Sequence, residues 1–265
     1  MSWLLMDMGN SRCKAVVSDA QSVQWLARYH WDNQDFMAEH WQQQLEAIRR
    51  DYPEISKVLI SSVSSDARKA LVSDWCEQLL QVTPDFAIST DLYEAQSKDL
   101  LNSYDEPLAL GIDRWLAMVG AIEQTDKAFA VLDAGTAITL DLVDVDGKHL
   151  GGHIVPGAKL MQKALFGDTG KIAFGAKLDP SKANEQQWLG VNSLQAVELG
   201  TYQAALGYLQ SCLERLHQHY GVAQLFVCGG DGAAMMQQIS LPESIEWLDC
   251  PDLVFEGLFY QHKNG

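Results

Sequence analysis

Three short constellations in this chain combine residue types that can hold phosphate and move a proton. The first runs Asp7-Met8-Gly9-Asn10-Ser11-Arg12-Cys13-Lys14, and the second runs Asp133-Ala134-Gly135-Thr136-Ala137-Ile138-Thr139-Leu140-Asp141. Each places Asp-x-Gly and a small polar residue between two apolar runs. Such a bend offers backbone N–H groups and a hydroxyl or amide to phosphate, while the carboxylate holds a cation or a water. One copy alone is equally an ordinary hairpin. Two copies, about half a chain apart, imply two related lobes acting on one polyphosphate, for which ATP is the natural candidate. Lys14 can join the first bend if the turn restores it to the face of Asp7, since odd spacing along one straight strand would oppose them.

The third constellation, Gly111-Ile112-Asp113-Arg114, opens an apolar helical run containing Trp115, Leu116, Met118, Val119 and Ile122. Asp113 has two competing readings. As a helix N-cap it contributes about 1 kcal/mol of stability. As a general base it accepts the proton of a substrate hydroxyl, with Arg114 beside it for a carboxylate or phosphate. Two glycine-rich segments complete the set. Gly229-Gly230-Asp231-Gly232 follows the apolar run Leu225-Phe226-Val227-Cys228, where absent side chains let a flat ring or ribose come close. Gly151-Gly152-His153-Ile154-Val155-Pro156-Gly157 reads as a bulged strand end near a ligand or the other lobe.

The elements that must position these residues follow from periodicity. Strand patterns at 3–8, 12–18 and 23–29 form a meander, followed by a helix at 35–50 carrying Phe36, Met37, Trp41, Leu45 and Ile48. A buried strand at 57–60 leads into Ser61-Ser62-Val63-Ser64-Ser65, a polar loop; a helix at about 66–80 and a strand at 86–88 come next. The meander restarts at 128–134, 137–145 and 149–155, with Asp144-Val145-Asp146-Gly147 as a tight turn. Then come helices near 158–166 and about 185–219, the latter interrupted by Gly190, Gly200 and Gly207, and strands at 224–228 and 245–248. A meander followed by helices, twice over, predicts a duplicated α/β chain with lobes at 1–115 and 116–265.

Composition narrows the chemistry. A formal net charge of −16 with no basic stretch argues against nucleic acid as a partner. An anionic substrate would then need turn amides, a few Lys or Arg and a cation. There is no long apolar run to span a membrane and no leader pattern at Met1. The five cysteines are scattered without Cys-x-x-Cys, which fits reduced thiols in the cytoplasm, and the seven histidines show no metal-ligand spacing.

Taken together, Asp7-x-Gly9-Asn10-Ser11-x-x-Lys14, Tyr104-x-x-Pro107-x-x-x-Gly111-x-Asp113-Arg114, the Asp133–Asp141 segment and Gly151-Gly152-x-Ile154-x-Pro156-Gly157 resemble type III pantothenate kinases, in order and over most of the chain. The resemblance implies duplicated ribonuclease H-like domains of the actin-like ATPase fold with the nucleotide cleft between them. It also implies a homodimer, ATP with Mg²⁺, a monovalent cation (K⁺ or NH₄⁺), and phosphorylation of pantothenate as the first step of coenzyme A biosynthesis. By position, ATP contacts fall on Asp7, Met8, Gly9, Asn10, Ser11, Arg12, Cys13, Lys14 and Thr136. Asp113 is the implied base, and pantothenate contacts fall on Tyr104, Gly111, Ile112, Asp113, Arg114 and Ser193. Asp133 is the implied ligand of the monovalent cation. Three departures stand out: Ser11 and Ser193 where the family has Thr, and Thr169-Gly170-Lys171-Ile172-Ala173 where it has Thr-Ala-x-Leu-Pro. Competing functions are a kinase of the same fold acting on another small alcohol, and a catalytically weak accessory protein that keeps the nucleotide fold.

Overall fold

The computed structural model describes residues 1–9, 11–32, 36–168 and 188–264. The chain divides into two compact units, residues 1–126 with 252–265, and residues 127–251. The division differs from the expected 115/116 boundary, which would cut helix α3 (Ile112–Ile122) near its start.

In the first unit the described strands are β1 (Ser2–Met8), β2 (Arg12–Asp19), β3 (Trp25–Asp32), β4 (Ile55–Ser62) and β5 (Asp85–Phe86), in sheet order β3-β2-β1-β4-β5. Strands β1, β2 and β3 are antiparallel neighbours, while β4 and β5 run parallel to β1. Central β1 is almost wholly apolar and buried on both faces, whereas outer β3 alternates half-buried with exposed residues. One face packs on α1 (Ala38–Asp51), whose Trp41, Leu45 and Ile48 recur at helical spacing, and on α2 (Asp66–Trp75). The expected helix to residue 80 is completed by a π-helical turn, Cys76–Leu80. The serine run at 61–65 is only partly loop, because Ser61 and Ser62 are the last residues of β4.

The second unit repeats this order with β8 (Phe129–Ala134), β9 (Ala137–Val143), β10 (His149–Pro156), β11 (Gln224–Cys228) and β12 (Glu246–Asp249), arranged β10-β9-β8-β11-β12. The short pair β6 (Leu92–Tyr93) and β7 (Leu100–Leu101) separates the two sheets along the chain. Each sheet is therefore a ribonuclease H-like meander followed by two parallel strands, as duplication requires. Its core lies between the sheet and α5 (Ser193–Tyr220), with α4 (Ala158–Asp168) and α6 (Gly232–Met236) beside it. Gly200 and Gly207 do not interrupt α5; the helix runs unbroken for 28 residues, capped by the Asn192 side chain. Gly190 lies outside the helix, and the expected start near 185 lies outside the described residues.

Helix α7 (Leu253–Asn264), not anticipated from the sequence, returns to the first unit and crosses α3. A Cβ on Gly120 would overlap the Leu253 carbonyl, and one on Gly257 would overlap Leu116. Reciprocal glycines let the two backbones touch, which fixes the axis of the helix that carries Asp113.

Candidate active site

The first hairpin resolves the question of Lys14. Asp7 and Lys14 are Cα partners across β1 and β2, so their side chains share one face of the sheet. His30 continues the row on β3 and Ser61 continues it on β4. Asp7 is half-buried and Lys14 exposed, a carboxylate near the sheet end with a cation beside it. Met8 and Cys13 point the other way into the core, fully buried, so only their backbones are available to a ligand. Burial, with Asp7 and Cys76 nearby, pushes the Cys13 thiol well above its usual range. A Cβ on Gly9 would lie 3.2 Å from the Arg12 carbonyl, so the turn is tight; Ser11 is half-buried and Arg12 exposed. Asn10 lies outside the described residues.

At the start of α3 the structure separates the two readings of Asp113. The N-cap is Gly111, which has no side-chain cap, and Asp113 sits within the first turn. Its Oδ1 accepts the Arg114 backbone N–H at 2.9 Å, and a Cβ on Gly111 would come within 2.8 Å of that oxygen. Glycine therefore makes the room in which the carboxylate is held, close to the positive end of the helix dipole. Ile112 is buried and holds the turn against the unit's interior. Arg114 is 6% exposed, and its guanidinium donates to the Tyr104 hydroxyl at 2.8 Å while lying over the Tyr104 ring at 5.8 Å. Tyr104 is in turn oriented by the Asn102 carboxamide, whose oxygen accepts its backbone N–H at 3.0 Å. Tyr104, Gly111, Ile112, Asp113 and Arg114 thus form one cluster in the first unit: a half-buried carboxylate beside a buried guanidinium held in direction by a phenol. That arrangement can bind an anionic group and present a proton acceptor to a neighbouring hydroxyl.

The second hairpin is braced by neighbouring backbone. Asp133 pairs with Thr139 across β8 and β9, and the Gly135 N–H donates to the Ala137 carbonyl at 2.9 Å. The Gly157 N–H donates to the Thr136 carbonyl at 3.0 Å, and a Cβ there would meet that oxygen at 2.8 Å. Gly229, at φ 83°, presses from the other side, where a Cβ would overlap the Asp133 carboxylate and the Ala134 carbonyl. The close approach expected of both glycine-rich segments is thus made to this hairpin's own backbone, while Gly230 faces open space. Asp231 donates its N–H to the Ala134 carbonyl at 3.0 Å, and its carboxylate pairs with Lys159 at 2.8 Å, a contact that sequence spacing did not signal. Ser193 is an exposed residue in the first turn of α5, in the second unit. The 169–173 segment lies outside the described residues. Among the described residues no group of three His, Cys, Asp or Glu side chains could hold a metal, and no helix is long and apolar enough to cross a membrane.

Two sheets of identical order, each with an Asp-Gly hairpin between its first two strands, make the fold that of the actin-like ATPases and sugar kinases. Consistent with this, the fold is similar to Lmo2764 of Listeria monocytogenes (TM-score 0.53, 11% identity, 98% of each chain). It is also similar to the activator of 2-hydroxyisocaproyl-CoA dehydratase from Clostridium difficile, solved with ADPNP (TM-score 0.50, 11% identity, 100% of this chain and 94% of that one). Within the class the sequence is more specific: the model of type III pantothenate kinase matches residues 3–215, and the chain belongs to that family. Relatives named type III pantothenate kinase include those of Marinomonas sp. (31% identity, 96% of this chain and 92% of the relative) and Colwellia psychrerythraea (28%, 96% and 98%).

Proposed function

We propose that this protein transfers the γ-phosphoryl group of ATP to the primary alcohol of pantothenate, the first step of coenzyme A biosynthesis. The observation that carries the substrate assignment, beside family membership, is the Tyr104–Asp113–Arg114 cluster. Pantothenate offers a carboxylate to a buried guanidinium and a hydroxyl to a carboxylate, the two groups this cluster supplies.

In this reading Asp113 Oδ2 accepts the alcohol proton as the oxygen attacks the γ-phosphorus in line. Phosphoryl transfer has a loose transition state, so orientation of the alcohol contributes more than its prior deprotonation. The Gly9–Ser11 backbone and Lys14 bind the β- and γ-phosphates. A single carboxylate, Asp7, with hydroxyls nearby fits Mg²⁺, which takes most of its ligands from water and phosphate rather than from a protein cage. When bound, Mg²⁺ neutralises the charge that develops on the phosphates. From the second unit, Thr136 is assigned a nucleotide contact, Ser193 a pantothenate contact, and Asp133, a hard oxygen ligand, a monovalent cation such as K⁺ or NH₄⁺. A homodimer in the cytoplasm completes the reading. The homodimer is supported by exposed apolar side chains on β10 and α4, including Ile154 (62%), Leu160 (39%) and Leu165 (49%), and light scattering tests it.

The test is ATP turnover with pantothenate against a panel of small alcohols, with and without K⁺. Pantothenate-dependent turnover stimulated by K⁺ is expected. Turnover with another alcohol instead would remove the substrate assignment, and none at all from folded protein would favour an accessory role.

A further inference from the structure

Beside Asp7 stands a hydroxyl that the functional reading has not used. Ser61, near the end of β4, is the parallel partner of Asp7, so both side chains lie on the face that carries Lys14. It is 1% exposed, and its Oγ has no hydrogen-bond partner among the described residues. Ser62, the next residue, accepts the Ser64 N–H at 3.2 Å and so has a local structural role; Ser61 has none of that kind. A second unpartnered hydroxyl on the same face, Ser18, sits between Trp3 and Trp25, with no acidic neighbour in its row. In the second unit the place beside Asp133 is taken by Cys228, a much weaker hydrogen-bonding group. The unpaired hydroxyl therefore accompanies the hairpin that carries the lysine.

We infer that Ser61 is a positioning residue for the metal–triphosphate: with Asp7 it holds a water of the hydrated Mg²⁺ that accompanies ATP. A hydroxyl can donate to the Asp7 carboxylate or accept from such a water, and buried polar atoms are ordinarily paired once their ligands are in place. This rests on the ATP reading above and adds to it a residue and a role.

The experiment compares wild type with Ser61→Ala by thermal unfolding without ligand and during Mg²⁺ titration at a fixed concentration of a non-hydrolysable imido analogue of ATP. The expected result is an apo unfolding temperature equal to or above wild type, because an unpaired buried hydroxyl is removed. The Mg²⁺ concentration for half-maximal stabilisation should rise roughly five- to twentyfold, with KM for pantothenate unchanged. A half-saturating Mg²⁺ concentration within twofold of wild type would overturn the proposal, whatever the apo stability. Should Ser61→Ala not fold, Ser61→Cys is nearly the same size with a weaker donor, and its half-saturating Mg²⁺ should still rise at least threefold; a smaller change overturns the proposal. Wild-type stabilisation by the Mg²⁺–analogue pair is the control, and its absence would count against ATP binding itself rather than against Ser61.

Discussion

The two Asp-Gly hairpins share sheet position and strand direction but differ in what surrounds them. Across from Asp7 stands Lys14; across from Asp133, at the matching place, stands Thr139. Beside Asp7 lies an unpaired serine, and beside Asp133 a buried cysteine. Gly157 and Gly229 press their backbones onto the second hairpin. Duplication has therefore kept the turn and changed its neighbours, which in the proposed function divides its work. In the proposed function the first copy supplies Lys14 to phosphate, and the second, braced by its own unit, supplies Asp133 to a small cation.

The comparison is most sharply stressed at Gly229. Gly229→Ala combines positive φ with overlap on Asp133, and should destabilise the second unit by about 3 kcal/mol or more, read as a fall in the denaturation midpoint. An undiminished midpoint would mean that the bracing is not tight. Next, Lys14→Met should weaken ATP binding by roughly 10- to 100-fold, the range for losing one charge-assisted hydrogen bond of about 1.5–3 kcal/mol, as read by calorimetry. Lys14→Thr, which gives the first hairpin the partner of the second, should lose as much; retained affinity would deny the division of labour. Gly9→Ala meets only the Arg12 carbonyl, at 3.2 Å, and should cost about 1 kcal/mol, clearly less than Gly229→Ala.

The smallest effect is a pH dependence confined to the first unit. Burial and the neighbouring Lys57 depress the pKa of His262 on α7 below its usual value, with Asp85, through its charge and its hydrogen bond, opposing them. A depressed histidine contributes stability that is present above the unfolded pKa, about 6.5, and lost as pH falls through the lower folded value. Hydrogen exchange should therefore show α7 loosening on acidification below that range before the second-unit core does, and His262→Gln should flatten the difference.

Much of this was legible in the chain because its signals are local. The hairpins show as Asp and Gly between apolar runs, and the repeated meander shows through strand spacing. Asp113 looked like a cap because Asp caps helices, but the capping position depends on backbone angles, and Gly111 occupies it. Gly200 and Gly207 looked like interruptions, yet packing of the other faces of α5 outweighs a helix-propensity penalty of about 1 kcal/mol each. Helix α7 has ordinary apolar spacing; what the sequence could not show is that it returns to the first unit and brackets α3 through two glycines. Ser61 looked like loop because its polar run hides its place in β4, where burial comes from neighbouring strands rather than from its own segment.

In the proposed mechanism Asp113, held in the space left by Gly111, accepts the proton of the pantothenate alcohol. Phosphopantothenate formation by Asp113→Asn, measured alongside ATP affinity of the same protein, tests it most directly. A loss of about 10²- to 10⁴-fold in kcat, with ATP affinity unchanged, is predicted. Wild-type turnover by that variant would contradict the account and leave Asp113 only a local hydrogen-bonding role in the first turn of α3.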